Sequence, residues 1–160
     1  MDINERLIKA LNESKVLNKI GLAASRIILR RTRQGKDISG SSFKPYSKSY
    51  QKKKKKMGFA DVTTVNLEAS RVGSMLSAID YETSFDSVIL YFNKPAKEQL
   101  AYYHNVSGAG KSRVIRKFWG IEMQDELDAL TNLANKEAKK ILKREIAAIL
   151  TELNDYTGKY

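Results

Sequence analysis

Residues 79–92 read Ile79-Asp80-Tyr81-Glu82-Thr83-Ser84-Phe85-Asp86-Ser87-Val88-Ile89-Leu90-Tyr91-Phe92, and they decide the fold class. The first five residues alternate with period two, and the last five form a β-rich run. Ser84-Phe85-Asp86-Ser87 supplies turn residues between them, so a β-hairpin is expected. The chain on either side carries helical spacing. The expected class is therefore α+β: a long N-terminal helix, an extended basic loop, a small antiparallel β-sheet and a long C-terminal helix.

Working upstream, residues 66–78 read as a short helix leading into the hairpin, with Leu67, Val72, Met75, Leu76 and Ile79 available for burial. Residues 34–60 change character. They hold Gly35, Gly40, Ser39, Ser41, Ser42, Pro45 and the run Lys52-Lys53-Lys54-Lys55-Lys56. The expectation is an extended loop over 33–60, pinned to a core by Phe43, Tyr46, Tyr50 and Phe59 and ending in a mobile basic tip. From residue 2 to about 33, Ile3, Leu7, Leu11, Leu17, Ile20, Ala24, Ile27 and Ile28 recur at three- and four-residue steps, with a slip near Ser14. Asp2 and Glu5 have capping-box spacing. A second start between residues 12 and 15 would divide the helix in two, and one long helix is the expected arrangement, with Gly21 weakening its middle by about 1 kcal/mol relative to Ala.

Downstream, Pro95 opens a brief helical stretch through Lys97, Leu100, Tyr102 and Tyr103, and residues 113–119 read as another strand. Residues 122–154 are rich in Ala, Leu, Glu and Lys. Leu127, Leu130, Ala134, Ala138, Ile141, Leu142, Ile146, Ile149 and Leu153 lie on one side. Such a helix is about 45 Å long, more than a small domain is wide, so part of its stripe is available to another chain. Its other face, with Glu137 and Lys140, is expected to be solvated.

The 160 residues fit a single domain, 1–160. There is no cysteine, which closes disulfide, redox and thiolate-metal readings. No apolar run reaches the ~20 residues of a membrane span, and Met1-Asp2-Ile3-Asn4-Glu5 is acidic where a signal peptide is basic. A soluble chain made in a cytoplasm is expected.

Twenty-nine Lys and Arg stand against 18 Asp and Glu, a net charge of +11. Residues 1–60 hold 16 basic and 4 acidic side chains, whereas residues 61–160 hold 13 and 14. The surplus is thus confined, which suggests a patch with one particular neighbour rather than a general coating of nucleic acid. The candidate contacts to a partner or DNA are Arg30, Arg31, Arg33, Lys36, Lys44, Lys48, Lys52, Lys53, Lys54, Lys55 and Lys56. Phosphate contacts from them would give strongly salt-dependent binding, and Tyr46 and Tyr50 interleave with them as stacking residues do on single strands. An acidic protein partner or plain solvent also accounts for the run. No helix-turn-helix, RNA-recognition or zinc signature accompanies it.

Catalytic readings find little support. Ser107-Gly108-Ala109-Gly110-Lys111-Ser112 lacks the spacing and the upstream buried strand of a phosphate-binding loop. His104 is the only histidine, and its plainer role is a hydrogen-bonded structural residue at a helix end. Phe118 and Trp119 are expected to anchor the terminal helix to the core. No enzyme activity, cofactor or metal is expected.

Four stretches form an ordered series: Gly40-Ser41-Ser42-Phe43-Lys44-Pro45-Tyr46-Ser47 with Tyr50, Leu67-Glu68-Ala69-Ser70-Arg71-Val72-Gly73-Ser74-Met75-Leu76, Ala101-Tyr102-Tyr103-His104-Asn105, and Arg116-Lys117-Phe118-Trp119-Gly120-Ile121. The series resembles the virion-morphogenesis or tail-completion family of tailed bacteriophages, proteins of the neck and tail terminus, over roughly residues 15–150. Gly108 falls one residue later than the family pattern, and Ile115 replaces the usual Pro before the Arg. The resemblance implies a structural protein whose copies form a ring that completes the tail and joins it to the head connector. The implied partners are further copies of the chain, connector or neck proteins, the tail tube protein and, nonspecifically, genomic DNA, with no membrane. The implied location is the virion neck or tail, and the host cytoplasm during assembly. Phe43, Tyr46, His104, Phe118 and Trp119 would serve as structural or interface anchors. The competing reading is a DNA-binding or DNA-packaging accessory protein that uses the basic loop.

Overall fold

The computed structural model describes residues 3–13, 15–59, 61–68, 74–84 and 86–157. The hairpin forms where the alternation predicts it. Strand β1 (Ile79–Thr83) pairs antiparallel with β2 (Val88–Phe92), with Ile79 opposite Phe92, Tyr81 opposite Leu90 and Thr83 opposite Val88. Successive strand side chains point to opposite faces, so Val88, Leu90 and Phe92 turn inward while Ile89 and Tyr91 face solvent. These two strands are the whole sheet among the described residues. Phe85 of the connecting turn lies outside them.

The N-terminal helix is two helices rather than one: α1 (Ile3–Glu13) and α2 (Val16–Arg33). Lys15 stands between them at φ 57°, ψ 25°. That left-handed conformation cannot carry the helical ladder onward, so the polar slip at residues 12–15 is a break. The expected cap at Asp2 lies outside the described residues. Helix α2 buries Gly21, Ala24, Ile27 and Ile28. The hairpin approaches so closely that a Cβ on Gly21 would run into the Tyr81 ring. The lost helix propensity at Gly21 is offset by this packing.

The loop expected over 33–60 is interrupted: residues 34–47 are loop, but the lysine run is helical rather than an extended tip. Lys48–Lys56 forms helix α3, and Ser47 caps it by accepting a hydrogen bond at Oγ from the Tyr50 N–H (3.3 Å). Four lysines in its last turn complement the negative end of the helix dipole. At 100° per residue Tyr50, Gln51 and Lys54 share the inner side, and these three are the covered ones. With no apolar stripe, hydropathy does not mark the helix. Its inner face is a ring, an amide and the hydrocarbon stem of a lysine.

Of the helix expected over residues 66–78, the described residues show only a 3-10 turn, Leu76–Ala78. Residues 69–73, including Val72, lie outside the description. Leu67 is buried at φ 55°, and its N–H bonds the Tyr46 hydroxyl rather than a helical carbonyl. Helix α4 (Pro95–Tyr102) starts at its proline and ends in a π-helical turn, Tyr103–Ser107. Residues 113–119 do not form the expected strand. Apart from a bridge between Ala109 and Val114, their backbone bonds go to the π turn and its side chains: Arg116 N–H to the His104 carbonyl, and the Phe118 and Trp119 N–H groups to Asn105 Oδ1.

Helix α5 (Gln124–Thr157) is about 51 Å long. It runs antiparallel to α1 and α2, and ion pairs step along the seam: Arg31–Glu126, Lys19–Glu137 (2.6 Å) and Arg6–Glu145 (3.3 Å). Glu126 and Glu137 are buried, so the polar face expected to be solvated is partly internal. The core cluster joins Ile28, Phe43, Val65, Leu67, Met75, Leu76, Ala101 and Phe118, with Leu90, Phe92 and Trp119 packed against it.

Candidate functional site

The four stretches that carry the resemblance meet in one buried junction. Phe43 enters the core, and the Tyr46 hydroxyl accepts the Leu67 N–H at 3.1 Å. Arg116 donates from Nε and Nη2 to the Lys44 carbonyl (3.2 and 3.1 Å), with its guanidinium carbon 5.3 Å from the Tyr46 ring centre. Asn105 closes the junction. Its Oδ1 accepts from Phe118 N–H (2.9 Å) and Trp119 N–H (3.0 Å), and its Nδ2 donates to the Ala101 carbonyl (2.8 Å). Phe118 is fully buried, and Trp119 lies 4.6 Å centroid to centroid from Phe92. Both are core anchors, as expected.

Two of the eleven candidate contact cations belong to the interior and not to a surface. Arg31 is 3 % exposed; its guanidinium pairs with Glu126 and donates to the carbonyls of Phe118 (2.8 Å) and Gly120 (2.7 Å). A planar fork of donors suits three acceptors at once. Lys54 is fully buried. Its Nζ donates to Asn66 Oδ1 (2.9 Å) and lies 5.0 Å from the Tyr46 ring centre and 4.6 Å from that of Phe59. Burial pushes the Lys54 ammonium below the usual lysine range, with Asp61 and Glu68 pulling the other way. Burial likewise raises the Tyr46 phenol to about 12.

The remaining nine, Arg30, Arg33, Lys36, Lys44, Lys48, Lys52, Lys53, Lys55 and Lys56, are exposed. Arg33 is engaged with Glu68 at 3.0 Å. The end of α2 and the inner side of α3 both adjoin the segment 64–68: Gly35 against Thr64 and Val65, Arg33 against Glu68 and Lys54 against Asn66. Arg26, Arg30 and Arg33 border an open depression of about 580 Å³ floored by Ile27 and Leu29.

His104 lies in the π turn that ends α4, half-buried, and its Nδ1 has no hydrogen-bond partner among the described residues. Burial and then the charge of Arg116 lower it to about 4. After Ser107 the glycine segment forms a tight turn over residues 110–113, closed by reciprocal bonds between Ala109 and Val114 (3.0 and 3.2 Å), and does not open a helix. Among the described residues no group of three or more His, Asp or Glu is placed to hold a metal ion, and no helix is long and apolar enough to cross a membrane.

Asn66, Asn105 and Glu126 do structural work that sequence patterns did not assign. Asn and Glu at irregular spacing look like surface residues, and only the fold brings their oxygens to buried donors. Searches of the chain against protein-family models, curated proteins and solved structures find no match.

Proposed function

We propose that the chain is a structural subunit of a phage neck or tail terminus, assembling with further copies into a ring that completes the tail and joins it to the head connector. The resemblance gives the reading its content. Its stretches build a core, and their polar residues, Arg116 and Asn105, are occupied in holding backbone. These groups are occupied by the fold, which leaves the outer faces free for function.

The single observation that supports assembly is on α5. Leu142, Ile146 and Leu150, at i, i+4 and i+8, are 45, 46 and 55 % exposed. A ridge of large aliphatic side chains left open on one subunit marks an association surface, and the proposed occupant is a second copy. The start and the middle of α5 are chemically unlike. Exposed Glu122, Asp125 and Asp128 stand at its start, and Lys136, Lys139, Lys140, Lys143 and Arg144 lie along its middle. Unlike surfaces favour heterologous contacts, which close into a ring when the rotation between successive copies closes.

Native mass spectrometry with negative-stain electron microscopy tests this. Closed rings are expected in solution or on a co-expressed connector. The aliphatic ridge is probed by Ile146→Glu, which should shift the population to monomers. Monomers alone, with no retention on connector or tail-tube proteins, would contradict the reading.

A further inference from the structure

We propose that the outer face of α3 is a contact surface for the phosphate backbone of duplex DNA. This rests on the lysine helix itself and is independent of ring formation. With Lys54 turned inward, Lys48, Lys52 and Lys56 fall on successive turns of the opposite side, about 6 Å apart along the axis, flanked by Lys53 and Lys55. None of these five makes an ion pair among the described residues. Like charges four residues apart oppose one another on a helix, and an anionic partner relieves that repulsion.

The chemistry of the face selects the anion. The centre of a protein interface is apolar and aromatic and is depleted in lysine. Here the outer positions of α3 are lysines and Ser49, with Met57 exposed just past its end. Single-stranded nucleic acid needs open aromatic platforms. Tyr50 instead lies 4.9 Å from Tyr46, and the Tyr46 and Phe59 rings face the Lys54 ammonium. What remains is a line of flexible point charges, which suits sequence-independent contact with duplex phosphates. The buried Lys54 fixes which side of the helix is presented.

Fluorescence anisotropy of the full chain with a mixed-sequence duplex of about 30 base pairs, titrated at several NaCl concentrations, tests the proposal. Substituting Lys48, Lys52, Lys53, Lys55 and Lys56 by Gln preserves helix propensity. If all five contact phosphates, the slope of log K against log salt should flatten by about 4.5, and by about 1 for Lys52→Gln or Lys56→Gln alone, which serves if the fivefold variant misfolds. Lys54→Met should leave the slope unchanged. No binding at roughly 50 mM salt, the low end of such titrations, or an unaltered slope in the lysine variants, overturns the proposal. So does tighter binding of a single strand of equal length, or displacement of the duplex by polyglutamate at equal charge, which would assign the face to an acidic protein.

Discussion

The basic end of α2 and the lysine run of α3 look alike in sequence, yet each places one cation inside the molecule, and by different chemistry. Arg31 meets a carboxylate and two carbonyls. Lys54 meets an amide oxygen and two ring faces, with no carboxylate in hydrogen-bond range among the described residues. The first ties α2 to the start of α5; the second turns α3 so that its other lysines face out. A charge run is therefore not one functional unit, and the buried member of each sets the geometry of the rest.

The largest expected effect separates the two buried cations. Arg31→Met leaves Glu126 buried without its partner, and thermal or urea denaturation should show a loss of about 3–5 kcal/mol. The double variant Arg31→Met/Glu126→Leu should recover most of it. A loss below about 1 kcal/mol for the single variant would place Arg31 with the exposed cations.

The third buried cation, Arg116, is probed through its neighbour. His104 sits at about 4 in the folded chain, against about 6.5 when unfolded. Between those values the unfolded chain binds the proton more readily, so this contribution is full above about pH 6.5 and is lost as pH falls toward about 4. The loss should reach about 3 kcal/mol, and His104→Gln should flatten that part of the stability profile. A parallel profile in the variant would remove His104 from the junction.

The smallest effect sharpens the role of Lys54. Lys54→Ala should cost about 2–3 kcal/mol through lost packing of the stem, while Lys54→Met, which keeps the stem, should stay within about 1 kcal/mol. Because the folded pKa of Lys54 is lowered, the wild type should also gain stability as pH rises toward the ordinary lysine value of 10.5, and Lys54→Met should not. Above about pH 10 the buried Tyr46 phenol, held protonated to about 12, reverses the trend.

The hairpin and α5 were legible because their sequence patterns report burial directly: alternation in residues 79–83, a β-rich run in 88–92, and a long 3.6-residue stripe after Gln124. The break at Lys15 was legible only as a slip, since backbone handedness leaves no hydropathic trace. Helix α3 was hidden because its inner face is polar by residue type while apolar by atom. The candidate cations were legible as a class, but which two are interior depended on Glu126 and Asn66, which lie 95 and 12 residues away in the chain.

Amine labelling of the native chain, read residue by residue by mass spectrometry, tests the division of the lysine run most directly. Lys48, Lys52, Lys53, Lys55 and Lys56 should react freely, and Lys54 should be protected by roughly tenfold or more until the chain is denatured. Equal labelling of all six would contradict the buried pin and the helix face built on it.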